Sequence, residues 1–225
     1  MTLTLPPEFG LPMVYVVDDE DVGREAVAWL LQSRRLVSQG FSSGEAFLAY
    51  VEEDPHAVRD EWPRSPSCLV LDLRMGGMSG VALFEILIER GLVGAMPVLF
   101  LTGHGDVPTA VSTVKRGAFD FVEKPFSNNA LVDRIEKALE ASARALVARR
   151  ARAERFRGLR HLSERETEVM HLIAQGLANK QIADKLEVSV RTVEVHRSHV
   201  FEKLNVTSAV DLANMLGEWR ASGNP

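Results

Sequence analysis

Short apolar runs recur along the first half of the chain and alternate with segments of helical period. The runs are MVYVV at 13–17, SCLVL at 67–71, MPVLFL at 96–101 and FDFV at 119–122. Each has the length of a strand that is buried on both faces. Between the runs, apolar residues repeat at i, i+3 and i+7, which indicates helices. The alternation predicts a doubly wound α/β fold around a five-stranded parallel sheet, in which the more polar stretch at 36–41 is the second strand along the chain.

Length and charge predict two domains joined by a connector. The chain has 225 residues, of which 46% are hydrophobic, and this exceeds the usual size of one domain. The net charge is −8 over residues 1–126, +5 over 127–160 and −2 over 161–225. An acidic block, a basic connector and a mildly acidic tail indicate different tasks in series.

Cysteine content and hydropathy exclude several classes of protein. The single Cys68 excludes an intramolecular disulfide framework, and its apolar neighbours predict a reduced thiol in the core. The sequence contains neither a signal-peptide pattern nor the roughly 20 consecutive apolar residues of a membrane span. We therefore expect a cytoplasmic protein that has no membrane partner.

Polar and charged residues stand at the carboxyl ends of the predicted strands. Asp18 and Asp19 follow the first strand, Asp72 ends the third, Thr102 ends the fourth, and Lys124 follows the fifth. Ligands of open parallel sheets bind outside these strand ends, so we expect the five side chains to converge. Taken singly, each residue also has an ordinary structural explanation as an N-cap, a strand residue or a solvated charge.

Three carboxylates on one rim need a cation, because like charges ~4 Å apart repel by about 4 kcal/mol at an effective dielectric of 20. Carboxylate oxygens together with a backbone carbonyl suit Mg²⁺, which keeps some waters and accepts a phosphate oxygen. The pattern predicts phosphoryl transfer, with Asp72 as the nucleophile. Thr102 would hydrogen-bond the phosphoryl group and Lys124 would pair with it. The glycine-rich stretches do not have the residue order of a P-loop.

Four motifs, VVDDE, LVLDLRMGGMSG, LFLTGHGD and FDFVEKPF, together resemble the receiver domain of two-component response regulators, and most closely the FixJ type. The resemblance implies a five-stranded flavodoxin-like (CheY-like) domain in which Asp72 takes a phosphoryl group from a histidine kinase. It implies that Asp18, Asp19, Asp72 and the backbone carbonyl of Arg74 hold Mg²⁺. It also implies that the protein is not an enzyme, apart from catalysing its own phosphorylation and dephosphorylation.

The same resemblance implies a switch in the receiver. Thr102 and the aromatic Phe121 match the family's switch pair, and the bond between Lys124 and Pro125 is expected to be cis. In this mechanism, phosphorylation draws Thr102 toward the phosphoryl group while Phe121 turns inward.

Two features depart from the receiver pattern. The family usually has proline where Gly76 stands, so we expect a more mobile loop and altered phosphorylation kinetics. The segment EEDPHAVRDEWPRSPS at 52–67 is longer than is typical of the family. We interpret it as a surface excursion with Trp62 pinned to the domain; a partner-binding loop is the alternative.

The connector predicts one long helix, because no helix breaker follows Ser127 until Gly158 and Ser127 is a good N-cap. Two heptad-like tracks run along it, one formed by Val132, Leu139 and Leu146 and one by Ile135 and Ser142. The repeat is too short to establish a coiled coil. The helix is therefore either the last receiver helix continuing into a basic linker, or a dimer-forming or interdomain signalling helix.

The tail has the pattern of a helix-turn-helix domain. Ser163 and Glu166 stand at capping-box spacing before an apolar stripe, a short helix follows at NKQIADKLEV, and Ser189 can cap a third helix. A fourth helix is predicted from about 208 to 219. Three packed helices alone do not establish DNA binding.

The third of these helices has two opposite faces. Its apolar face consists of Val193, Val200 and Leu204, and its polar face of Arg191, Glu194, Val195, Ser198 and Glu202. The apolar face is expected to dock. The polar face could read DNA or could simply be solvated, and the tail's negative charge argues against strong nonspecific affinity for nucleic acid.

Residues 159–215 resemble the LuxR-type (NarL/FixJ) DNA-binding domain, through LSERETEVM, GLANKQIADKLEVSVRTVEVHRSHVFEKL and NVTSAVDLA. The resemblance implies that Glu194, Val195 and Ser198 read bases in the major groove. It also implies that Lys180, Thr192, His196, Arg197 and Lys203 contact phosphate or position the helix. Arg191, from its place on the polar face, is a further expected phosphate contact.

Together these patterns predict a flexible N-terminus at 1–12, a receiver at 13–140, a helical linker at 141–158 and a DNA-binding domain at 159–225. The expected partners are a sensor histidine kinase, promoter DNA, a second copy of the phosphorylated chain and, as a further candidate, RNA polymerase.

Two other functions remain open. An aspartyl-phosphate hydrolase could use the same carboxylates, although no second acid is placed to protonate a leaving group. A DNA-binding module could also work without phosphorylation, with the receiver serving only as a dimerisation scaffold.

Overall fold

The structure, a computed structural model, describes residues 9–54, 62–103 and 107–221. Packing divides the chain into two units, Met1–Ala148 and Arg149–Pro225. In the described ranges, no helix is both long and apolar enough to cross a membrane.

The first unit is built on a parallel sheet. Its strands are β1 (Met13–Val17), β2 (Val37–Phe41), β3 (Ser67–Asp72), β4 (Val98–Thr102) and β5 (Asp120–Glu123). They lie in the order β2-β1-β3-β4-β5, and every neighbouring pair is parallel. Val17 pairs with Leu71 and Asp72 pairs with Leu101, so β1, β3 and β4 end at the same edge. The predicted doubly wound sheet is confirmed, including the polar β2.

Helices cover both faces of this sheet. They are α1 (Asp21–Ser33), α2 (Gly44–Glu53), α3 (Gly80–Glu89), α4 (Val107–Lys115) and α5 (Asn128–Phe156). One core lies under α2 and α3 and contains Phe47 and Leu83; the other lies under α1 and α5 and contains Leu31 and Ile135. The serines before α2 and α3 accept backbone amides of the first helical turn, as N-caps do.

The connector is one long helix, as predicted, since α5 continues without interruption to Phe156. The residues of its two heptad-like tracks, Val132, Ile135, Leu139, Ser142 and Leu146, are all buried. Ile135 and Leu139 belong to the core beside the sheet, and the Ser142 hydroxyl accepts the Ser67 amide and donates to the Ala95 carbonyl. These contacts favour the interpretation of α5 as the last helix of the receiver.

Buried aromatic rings pack against one another in the core under α2 and α3. Trp62 is 3% exposed and stacks on Tyr15 with ring centroids 5.7 Å apart, so the prediction that it is pinned to the domain is confirmed. Residues 55–61 of the same excursion lie outside the described residues. The predicted flexible N-terminus also lies mostly outside them, although Phe9 is buried.

Cys68 is fully buried and burial raises the pKa of its thiol, which confirms a core thiol.

The second unit consists of helices. A 3₁₀ turn (Arg157–His161) precedes α6 (Glu164–Ala174), α7 (Asn179–Leu186), α8 (Val190–Leu204) and α9 (Ala209–Ala221). Their core includes Val169, Ile173, Ile182, Val193, Val200, Leu204 and Leu212. Ser163 and Glu166 form the predicted capping box at the start of α6. The all-α tail therefore has the expected helix-turn-helix elements.

Candidate functional site

Lys124 bridges two carboxylates at the carboxyl edge of the sheet. Its Nζ lies 2.7 Å from Asp72 Oδ1 and 3.2 Å from Asp18 Oδ2. The Asp18 side chain is 1% exposed and that of Asp72 is 11% exposed, so Asp72 is the more accessible carboxylate. The ammonium group therefore supplies a cation between the two acids, and three of the five predicted rim residues are in contact.

Backbone and side-chain donors hold the same two residues in place. The Glu20 amide donates to Asp18 Oδ1 at 2.9 Å, and the Arg74 amide donates to Asp72 Oδ2 at 3.2 Å. Arg24 Nη1 donates to the Asp18 carbonyl oxygen at 2.6 Å. Both carboxylates therefore have fixed orientations, because each is bonded on both of its oxygens.

Burial and charge act in opposite directions on this cluster. Burial raises the pKa of Asp72, and the hydrogen bond and positive charge of Lys124 reduce that rise without cancelling it. Burial alone would lower the pKa of Lys124, but its contacts with Asp72 and Asp18 outweigh burial and raise it. The result is a charged lysine beside a carboxylate that is more basic than usual, which suits a nucleophile.

Asp19 does not join this pair. Its Oδ2 accepts the backbone amide of Gly76 at 2.8 Å, in the loop that follows β3. Among the described residues, no three His, Cys, Asp or Glu side chains are grouped so that they could hold a metal ion. Asp18 and Asp72 supply hard oxygen donors that fit Mg²⁺, and Asp19 is a third carboxylate, whose Oδ2 is occupied by the Gly76 amide.

Glu45 and Gly80 also organise the loop after β3. The Met78 amide donates to Glu45 Oε1 at 3.1 Å, so the start of α2 anchors the loop. A Cβ atom on Gly80 would stand 2.1 Å from the Asp72 carbonyl oxygen, which only glycine permits. The greater mobility expected from Gly76 stays a prediction, whereas the structure shows two amides of this loop bonded to carboxylates.

The predicted switch residues lie on β4 and β5. Thr102 is fully buried, and its hydroxyl donates to the Gly103 carbonyl at 3.2 Å rather than to Asp72. Phe121 is partly buried against the core on the α2 and α3 side of the sheet. The bond between Lys124 and Pro125 is cis, as expected. Residues 104–106 of the TGHGD motif lie outside the described residues.

A cavity of about 310 Å³ opens beside the Lys124 bridge. Its polar lining residues are Asp18, Glu20, Lys124 and Asn128, while Val27 and Leu30 of α1 and Phe126 after β5 contribute apolar surface. A partner that entered this cavity would meet apolar surface beside the charged groups of Asp18, Glu20 and Lys124. Pockets of this composition suit specific recognition.

Helix α8 has the two faces that the sequence predicts. Val193, Val200 and Leu204 are buried in the core of the second unit. The opposite face, which consists of Arg191, Glu194, Val195, Ser198 and Glu202, is exposed, and Val195 is 49% exposed although it is apolar. An exposed apolar side chain among polar ones fits a surface that touches both base edges and methyl groups.

Among the predicted phosphate-contacting residues, Lys180 and Arg191 are exposed. Thr192 belongs to the cap of α8, since its amide donates to Ser189 Oγ at 3.0 Å. Lys203 is tied to α6, because its Nζ donates to Glu166 Oε2 at 2.7 Å.

The other two predicted contacts are partly buried. Arg197 Nη1 donates to Asn179 Oδ1 at 3.3 Å, and its guanidinium lies 4.9 Å from the Phe201 ring centroid. His196 Nδ1 is buried and has no hydrogen-bond partner among the described atoms. Arg197, like Thr192 and Lys203, is therefore held by contacts within the second unit.

Replacing Glu166 by Gln is expected to lower the free energy of unfolding of the second unit by about 2 kcal/mol at pH 7. Gln can still cap α6, but the ion pair with Lys203 is lost; the expected cost is below that of a fully buried pair because the Lys203 side chain is 39% exposed. The Lys203 hydrogen bond and the Ser163 amide lower the pKa of Glu166 to about 2. The stabilisation is therefore present above about pH 4.5 and is lost as the pH falls toward 2. Hydrogen exchange of α6 and α8 amides between pH 3 and 7 measures it, and a difference between Glu and Gln that does not depend on pH would contradict it.

Sequence patterns did not reveal several of these contacts. The Gly76 amide donates to Asp19 and Arg24 donates to the Asp18 carbonyl, while Glu45 accepts the Met78 amide of the loop after β3. For the Gly76 contact, the sequence offered one signal, which is that Gly76 lies in the loop directly after Asp72. Lys203 and Glu166 were each predicted in another role, and no pattern along the chain indicated that the two residues pair.

Family models match both units. The model described as "Response regulator receiver domain" matches residues 14–136, and the model described as "Bacterial regulatory proteins, luxR family" matches residues 160–216. The first match covers the sheet and the Lys124 bridge, and the second covers α6 to α8 and most of α9.

Relatives resemble the chain over most of its length. The C4-dicarboxylate transport transcriptional regulatory protein DctR of Rhodobacter capsulatus is 45% identical over 205 residues, which are 90% of this chain and 98% of DctR. The transcriptional regulatory protein FixJ of Rhizobium meliloti is 39% identical over 206 residues, 90% of this chain and 93% of FixJ.

Solved structures agree with this assignment. A low-resolution structure of the response regulator StyR matches with a TM-score of 0.68 and 38% identity, over 93% of this chain and all of that one. Full-length FixJ from B. japonicum matches with a TM-score of 0.52 and 33% identity, over 90% of this chain and 94% of that one. With two family models and relatives that span both units, the chain belongs to the response regulators that combine a receiver domain with a LuxR-type DNA-binding domain, as the FixJ-type transcriptional regulators do.

Proposed function

We propose that the protein accepts a phosphoryl group on Asp72 from a sensor histidine kinase and thereby changes how its second unit binds promoter DNA. The observation that carries this proposal is the Lys124 ammonium held between Asp72 and Asp18, with Asp72 the more accessible of the two. The Asp72 carboxylate, whose pKa is raised, is suited to attack phosphorus, and the charged Lys124 is suited to pair with the phosphorylated product.

In the proposed reaction, a carboxylate oxygen of Asp72 attacks the phosphorus of a phosphohistidine on the kinase. The P–N bond breaks, its electron pair returns to the imidazole, and an acyl phosphate forms on Asp72. Lys124 loses its close partner on Asp72 and pairs with a phosphoryl oxygen instead. The cavity beside Lys124 is the surface on which the kinase segment would dock.

Mg²⁺ is the proposed cofactor, with Asp18, Asp19, Asp72 and the Arg74 backbone carbonyl as its protein ligands. When bound, the ion would neutralise charge on the transferred phosphoryl oxygens. The Glu20 amide orients the Asp18 carboxylate, whereas Oδ2 of Asp19 is held by the Gly76 amide.

The output of the proposed switch is DNA binding through α8. We propose that Glu194, Val195 and Ser198 contact bases and that Lys180 and Arg191 contact phosphates; all five are exposed on the second unit. Thr192, His196, Arg197 and Lys203 would position the helix. Thr102 and Phe121 are the proposed link between Asp72 and the rest of the receiver, since Thr102 can turn its hydroxyl from Gly103 to the phosphoryl group.

Further parts of the proposal concern assembly. We propose a homodimer of the phosphorylated chain, which would place two α8 helices on half-sites about 34 Å apart. RNA polymerase is a further candidate partner. Because promoter DNA is the proposed target, we propose the cytoplasm as the location. The proposed boundaries are 13–140 for the receiver, 141–158 for the linker and 159–225 for the DNA-binding domain.

Beryllofluoride with Mg²⁺, which mimics an aspartyl phosphate, is expected to increase promoter affinity of the full chain by at least roughly tenfold, the size of a typical coupling free energy. Footprinting and equilibrium binding with genomic promoter fragments measure the change at constant salt. An unchanged affinity would support the phosphorylation-independent module instead. Fluoride with Mg²⁺ and no beryllium is the matched control and should leave binding unaltered.

A further inference from the structure

The second aspartate of the VVDDE motif has a different partner from the first. Asp18 contacts Lys124, while Asp19 Oδ2 accepts the Gly76 amide at 2.8 Å. Asp18 and Asp72 are the two more buried of the three predicted carboxylate ligands, and both contact Lys124. Asp19, the third, contacts the loop after β3 instead. The Asp19–Gly76 bond links the end of β1 to the loop that follows β3.

We infer that the Gly76 backbone amide is a latch that holds Asp19 in a resting position and sets the Mg²⁺ affinity of the rim. This inference rests on the proposed Mg²⁺ site. For Asp19 to coordinate a cation through the oxygen that the amide holds, or to rotate its carboxylate toward Asp18 and Asp72, the bond from Gly76 has to weaken or break, so the bond competes with metal binding. Gly76 is thus a positioning residue and acts on the reaction only through Asp19.

The loop around Gly76 is built to keep this amide in place. Two residues further on, the Met78 amide is anchored to Glu45 at 3.1 Å, and Gly77 between them has a φ of +75°. A glycine takes this left-handed conformation without strain, so the loop can present two amides to two different carboxylates. Gly76 itself does not have a positive φ, and a Cβ atom there would lie 3.6 Å from Asp19 Oδ2, an ordinary contact.

The chemistry of position 76 therefore turns on its N–H group and not on its lack of a side chain. Alanine keeps the amide and fits the space, whereas proline removes the amide. The latch would make this receiver respond to Mg²⁺ at higher concentrations than a receiver with proline there.

Isothermal titration of the full chain with MgCl₂ tests the latch. Gly76→Pro is expected to bind Mg²⁺ roughly tenfold more tightly than the natural chain, the change that loss of one competing hydrogen bond to a charged group produces. Gly76→Ala is the matched control and is expected to stay within about twofold of the natural chain, because it keeps the donor. If Gly76→Pro binds no more tightly, or if Gly76→Ala binds as tightly as Gly76→Pro, the latch is refuted.

Amide hydrogen exchange of the natural chain gives a second measurement that needs no variant. The Gly76 amide is expected to exchange at least roughly tenfold faster at saturating Mg²⁺, since its acceptor has turned away. An unchanged rate at saturation would refute the latch even if Gly76→Pro failed to fold. If the natural chain showed no Mg²⁺ binding at all, the proposed metal site would fail, which is a different result from either of these.

Discussion

Replacing Asp72 by Asn is expected to reduce phosphoryl incorporation to background, a loss of roughly 10³-fold or more. The amide keeps the shape of the side chain and can still accept the Arg74 amide, but it has no anionic oxygen to attack phosphorus. Asp18 cannot replace it, because its side chain is 1% exposed and its oxygens are bonded to Lys124 and Glu20. The measurement is transfer of labelled phosphoryl group from a small-molecule phosphodonor or a kinase.

The fold should survive this change. Burial raises the pKa of Asp72, so the folded chain disfavours its negative charge and gains by losing it at neutral pH, while Lys124 retains Asp18 as a partner. Asp133→Asn, an exposed change on α5, is the matched control and should leave incorporation intact. Labelling that persists in Asp72→Asn and maps to Asp18 or Asp19 would contradict the assignment of the nucleophile.

Replacing Gly80 by Ala is expected to lower the free energy of unfolding of the receiver by about 3 kcal/mol, on the order of 10 °C in Tm. The new Cβ would stand 2.1 Å from the Asp72 carbonyl oxygen and 3.1 Å from the Leu73 Cα. Both obstacles are backbone, and β3 is paired with β1 on one side and β4 on the other, so the strand cannot move aside cheaply. Relief of the clash must shift the start of α3 or the end of β3.

The same clash should damage the phosphorylation site, since a shift at the end of β3 moves Asp72 relative to Lys124. Urea unfolding followed by hydrogen exchange of the sheet amides measures the stability, and phosphoryl incorporation measures the site. Gly94→Ala is the matched control, because a Cβ there meets nothing within 4 Å and the backbone is not left-handed. Equal stability of the Gly80 and Gly94 variants would mean that the close approach is not present in solution.

The alternation of apolar runs and helical segments was sufficient to predict the doubly wound sheet, because strands that are buried on both faces consist almost entirely of apolar residues. It was weakest at β2, an edge strand whose residues are partly exposed. The two readings of α5 could not be separated by pattern, since apolar residues at helical spacing can bury against a sheet or against another helix. The Ser142 hydroxyl, which joins β3 to the loop before β4, is what favours the sheet.

At the rim, strand-end positions predicted five residues that would converge, of which three are in contact, and did not predict how they pair. Asp18, Asp72 and Lys124 came together as expected, because parallel strands that end in register bring their last residues to one edge. Asp19 did not join them, because successive residues after a strand point in different directions and a loop amide captures the second carboxylate. In the tail, the two faces of α8 followed from the helical period, whereas the Lys203–Glu166 pair required the packing of α6 against α8.

The sequence by itself determined the order of elements, the residues at the strand ends and the division of α8 into a buried and an exposed face, because these follow from local periodicity and chain direction. Only the tertiary structure decided which donor each carboxylate receives: Lys124 for Asp18 and Asp72, and the Gly76 amide for Asp19. It also decided that Gly80 must be glycine. Hydrogen bonds and close backbone approaches depend on distances of a few tenths of an ångström between distant segments, and no pattern along the chain carries that information.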